Sequence, residues 1–91
     1  MVDYEKIKVL RSIESQLNAL RSRYNQTFAN VSPYNPASRF VIQTHLPKMQ
    51  QELREISQRV GLINPSTLGS QEVGVWYEIN ALLEELEEDL F

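Results

Sequence analysis

Five carboxylates crowd one short stretch near the end of the sequence: Glu84, Glu85, Glu87, Glu88 and Asp89. Such groups can hold a cation, share a proton as an acid–base pair, or attract a basic surface. The first two uses need more than charge. A structural or catalytic zinc draws on histidine or cysteine, and a hard cation needs oxygens wrapped around it, usually by a loop. This chain has one histidine, His45, and no cysteine. Its acids lie in a run of helical spacing, so they read as a solvated face or a contact for a basic partner.

Other chemical equipment is equally sparse. The glycines are Gly61, Gly69 and Gly74, none in the spacing of a phosphate-cradling loop. No GxSxG elbow presents a serine nucleophile. His45 falls at the flank of a helical seam, where a packing role is the simplest reading. In the Trp76-Tyr77 pair, Trp76 falls on an apolar seam and is read as core. Tyr77 falls off it and is the better surface contact. The sequence therefore predicts no catalytic residue, no cofactor and no metal.

The charge distribution carries more information than the net charge of -3. From Met1 to Val60, nine Lys and Arg against five acids give +4, whereas Gly61 to Phe91 holds seven acids and no base, giving -7. Such an asymmetry points to an electrostatic partner, inside or outside the chain.

These residues must be positioned by helices. Ile7, Leu10, Ile13, Leu17, Leu20, Tyr24 and Phe28 recur at steps of three and four, the stripe of an amphipathic helix. Ser32-Pro33 and Asn35-Pro36 break the pattern, with Asn35 as the cap of a helix starting at Pro36. Ile42, Leu46, Met49, Leu53, Ile56 and Val60 form a second seam, with Gly61 as a left-handed cap. Pro47 interrupts that helix, but the seam keeps register across it, so a kinked helix is favoured over two separate ones. Leu62 to Gly69 reads as a loop and Ser70 as the next N-cap, with Glu72 in the first turn. Trp76, Ile79, Leu83, Leu86 and Leu90 make the third seam, widened by Val75 and Leu82. Gly74 marks a weak first turn or a close approach to a neighbour.

The fold class is all-α: an up-down-up antiparallel three-helix bundle, its second helix kinked at Pro47, or a helical hairpin completed by dimerisation. Residues 1–91 have the size of one domain. Neither a signal peptide nor an apolar run of about 20 residues is present, so the expected location is the cytoplasm, with no membrane partner.

The acids are costly where they lie. Each negative charge at a helix C-terminus is unfavourable by roughly 0.3–1 kcal/mol, and the like-charge pairs Glu84/Glu88 and Glu85/Asp89 add about 0.2–0.5 kcal/mol each. In the antiparallel arrangement Arg21 and Arg23 would face Glu87 and Asp89, with Arg39 at the same end. Glu84, Glu85 and Glu88 point away from the seam and stay unanswered. The sequence therefore predicts a non-enzymatic protein-interaction module of adaptor, regulatory, inhibitory or immunity type. Its contact patch would be Glu84, Glu85 and Glu88 with Val75 and Leu82 as an apolar flank, meeting a basic protein surface or a second copy. The alternative is nucleic-acid binding through the basic first two helices, which the -7 segment disfavours.

Overall fold

The computed structural model describes residues 4–29, 31–32 and 34–91. Three α-helices account for most of them: α1 (Tyr4–Phe28), α2 (Pro36–Gly61) and α3 (Ser70–Leu90), with a single 3₁₀ turn, Pro65–Thr67, before α3. There is no strand among the described residues. Among the described residues no helix is long and apolar enough to cross a membrane.

Each helix forms because its apolar stripe finds the other two. Leu10, Ile13, Leu17 and Leu20 of α1 are almost fully buried, as are Met49, Leu53, Ile56 and Val60 of α2. From α3 the core takes Val75, Ile79, Leu83, Leu86 and Leu90. The contact of α1 with α3 is the most extensive and that of α2 with α3 the least. All three helices belong to one chain, so the place that a second copy would fill beside a bare hairpin is occupied by α3.

The third seam matches its sequence reading from Ile79 to Leu90 and differs at its first position. Val75 is buried and Trp76 only half-buried. Both satisfy the spacing, but valine fits the close α1–α3 contact while the larger indole moves to the flank. There its Nε1 is buried without a hydrogen-bond partner, and the ring packs edge-on to Tyr77 at 5.3 Å.

The helix ends follow local chemistry, with two corrections. Asn35 caps α2, its side chain accepting from the Ala37 N–H at 3.0 Å with Pro36 in the first turn. Asn30 and Pro33, part of the same break, lie outside the described residues. Gly61 is not a left-handed cap: it is the last helical residue, and no described glycine has positive φ. The helix instead tightens, Leu62 N–H donating to Arg59 O at 3.2 Å and Ile63 N–H to Val60 O at 3.0 Å, which satisfies late carbonyls without αL geometry. Nor is Ser70 the cap of α3. That position falls to Gly69, with no side-chain cap bond. The carboxylate of Glu72, three residues on and 4% exposed, folds back over Gly69, where any Cβ would collide with it. Gly74 approaches nothing, since a Cβ there would have no neighbour within 4 Å.

Pro47 lies inside a continuous α2 rather than at a break. It is exposed, so water can serve the carbonyl that its missing N–H abandons. The helices are also staggered. Arg59 donates to Gln16, halfway along α1, and Arg23 to Glu52. Carried along at 1.5 Å per residue, that alignment sets Pro47 level with Phe28, so Pro36 to Leu46 project about 16 Å beyond the end of α1. The long axis of the molecule, 55 Å, accordingly exceeds the ~39 Å of its longest helix.

Candidate interaction surface

The acidic end of α3 is held from within by Leu83, Leu86 and Leu90, all buried. Those three fix the helix in rotation and force the intervening residues outward. Glu84, Glu85, Glu87, Glu88 and Asp89 are all exposed. No basic residue stands in the last turn, so the helix end gains no charge compensation of its own.

Arginines answer these acids less than the sequence suggested, and with different partners. Arg21 pairs with Glu85 at 3.2 Å, both side chains about half exposed. Arg23 turns to Glu52 of α2 instead. Arg54 lies over the Phe91 ring, 5.1 Å from its centroid, in the groove that Glu87 also lines. Neither Arg21 nor Arg23 pairs with Glu87 or Asp89, the acids they were expected to face. With Ile79, Leu83, Leu86 and Leu90 turned inward as expected, the offset of α1 against α3 brings Glu85 rather than Glu87 to Arg21. Among the described residues Glu85 is the only one of the five in an ion pair.

One heptad earlier on the same flank, the chemistry reverses. Glu14 of α1 faces Glu78 of α3, their carboxyls within hydrogen-bonding reach. Arg11 donates to Glu14 at 2.9 Å. The Arg11 bond and the bond with Glu78 hold the Glu14 carboxyl below its ordinary value, while the Glu14 carboxylate pushes Glu78 above it. An ion pair in one heptad and opposed carboxyls in the next became legible only once the offset of α1 against α3 was known.

Of the five residues assigned to the patch from sequence, Glu84, Glu85 and Glu88 are on the surface, Leu82 is half-buried and Val75 is core. Val75 therefore offers no apolar flank. Tyr77, 64% exposed, takes that place. With Ala81, Glu84 and Glu88 it forms an exposed strip at steps of four, three and four along α3.

A second surface escaped the sequence reading. Tyr34 and Phe40, 93% and 70% exposed, stand on and beside the projecting turns of α2. The connection from α1 runs alongside, Ser32 N–H donating to the buried Ser38 Oγ at 3.0 Å. The available signal was Phe40 itself, a large apolar residue two positions before Ile42 and so on the opposite side of the seam.

Among the described residues no group of three or more His, Asp or Glu is arranged to hold a metal ion. No protein-family model, curated protein or solved structure matches the chain.

Proposed function

We propose that this chain is a non-enzymatic protein-interaction module whose working surface is the acidic end of α3, presented to a basic protein surface in the cytoplasm. The observation that carries the reading is the uncompensated charge: five acids at the negative end of a helix dipole, with one ion pair to them among the described residues. Natural surfaces tolerate such charge for solubility alone, but here it is confined to one end of one helix and adjoins exposed Tyr77. A strip with one aromatic and several carboxylates suits a partner with a cationic rim around an apolar seat.

The surface is supported by an up-down-up arrangement of the helices. Gln16 with Arg59 and Arg23 with Glu52 advance in opposite senses along α1 and α2. Glu14 with Glu78 and Arg21 with Glu85 advance together along α1 and α3. A bend of α2 at Pro47, where the helix leaves the core, belongs to the same reading.

The test is to replace Glu84, Glu85 and Glu88 with Gln and to measure both melting temperature and the proteins retained from a cell extract. Loss of retained proteins with an unchanged or higher melting temperature supports a contact surface. Unchanged retention, or a folding loss alone, overturns it. Retention of duplex DNA or RNA by the wild-type chain at physiological salt would transfer the function to the basic helices.

A further inference from the structure

Where α1 and α3 end, α2 continues without a helix beside it. Its apolar seam residues there are only partly covered: Ile42 and Leu46 are half-buried, although they continue the line of buried Met49 and Leu53. Ser38, one turn earlier on that line, is buried with its Oγ accepting from the Ser32 N–H. Phe40 points the other way, 70% exposed, with Arg39 and Lys48 on either side of it around the helix. From Ala29 to Gln51 the chain has no acidic residue. At the foot of the projection lies a groove of about 330 Å³, with Tyr24, Phe28, Val31, Ile42 and Leu46 as its apolar lining and Asp89 at its edge. One end of the molecule thus holds a cationic, aromatic helix projection beside an acidic helix end and an unfilled apolar groove.

We propose that a second copy of this chain covers these features, the α2 projection of each protomer lying against the acidic end of α3 in the other. Phe40 is the apolar anchor, and Arg39 and Lys48 face Glu84, Glu87, Glu88 and Asp89 of the partner. This rests on the reading of the acidic end as a contact surface, and names its partner. Charge complementarity selects a second copy: the projection carries Arg39, with Lys48 at its foot, and no acid, the α3 end acids and no bases. Because each protomer owns both halves, a two-fold axis makes the same contact twice and closes the assembly, avoiding an open head-to-tail chain. The stagger supplies the geometry, since a projection of about 16 Å spans three turns of the partner's helix.

The experiment measures molar mass by sedimentation from micromolar to near-millimolar concentration. Wild type is expected to rise from 10.6 kDa toward twice that mass, less readily at high salt because exposed charges are screened. Phe40→Ser, at an exposed site where folding should not suffer, should weaken association about tenfold or more, as loss of a central anchor does. The decisive arm is a charge exchange. An Arg39→Glu, Lys48→Glu protein and a Glu84→Lys, Glu88→Lys protein should each stay monomeric but associate when mixed. Wild type that remains at 10.6 kDa throughout, or a mixture that does not associate, overturns the proposal. In the first case the contact surface itself still stands if the triple Gln variant loses retained proteins, and falls with the proposal if it does not.

Discussion

The two halves of α2 carry one apolar seam and meet different fates. From Met49 to Val60 every seam residue is buried, whereas Ile42 and Leu46, on the same stripe at the same spacing, are only half covered. Nothing in the residue types separates the halves. The difference arises because α1 ends at Phe28 and α3 at Leu90, leaving the first three turns of α2 to project. Periodicity therefore decides which face of a helix turns inward, while the stagger between helices decides how much of that face is removed from water.

Core truncations break this comparison most severely. Leu53→Ala should cost about 2–5 kcal/mol, a large share of the stability of so small a domain. Leu46→Ala removes the same atoms from a half-covered site and should cost well under half as much. Chemical denaturation of the two variants checks the ratio; equal losses would mean that the projection is packed as tightly as the core.

Pro47 stands at the boundary between the halves. In a continuous helix, Pro47→Ala restores a backbone donor and should stabilise by up to about 3 kcal/mol. A variant that loses helicity by circular dichroism would show that the chain needs a turn there. At the other end of α2, Gly61 is helical with open space where a Cβ would stand. Gly61→Ala should therefore stabilise by about 0.4–1 kcal/mol, while a left-handed Gly61 would make the same change destabilising.

The smallest effect contrasts the two α1–α3 heptads, Arg21–Glu85 and Glu14–Glu78. Glu78 is raised, so its contribution is present below the ordinary value of 4.5 and disappears as pH rises through its folded value. Glu14 is lowered, so its contribution is present above 4.5 and disappears as pH falls through its folded value. The pair is best placed in a window bracketing 4.5, with Glu14 ionised and Glu78 protonated. Glu78→Gln supplies a permanent donor to Glu14. Its melting temperature should exceed wild type slightly at neutral pH, and the gap should narrow toward pH 4.5. A gap independent of pH would mean that the carboxyls do not share a proton.

Much of the fold was legible in the sequence because it rests on local chemistry. The apolar stripes placed three helices, and Asn35-Pro36 marked the start of α2 through the residue types that cap and open helices. What was not legible depends on relations between helices. Whether Val75 or Trp76 turns inward, whether Arg21 meets Glu85 or Glu87, and how far α2 projects all follow from offsets that no single stripe encodes. Gly61 and Ser70 misled for another reason: each has the residue type of a cap, but α2 closes with a tightened last turn, and the N-cap position of α3 falls on Gly69, with no side-chain cap bond. The acidic patch was half legible, its charges plain from composition and its apolar flank, Tyr77 rather than Val75, dependent on which of Val75 and Trp76 packs inward.

Amide hydrogen exchange, followed residue by residue as protein concentration rises, tests the central claim most directly. If the acidic end of α3 is a contact surface that meets the α2 projection of a second copy, Glu84 to Leu90 and Pro36 to Leu46 should gain protection together. The amides of Leu10 to Leu20, already buried in the core, should not change. Protection that is constant with concentration, or gained elsewhere while both segments stay open, would contradict the account.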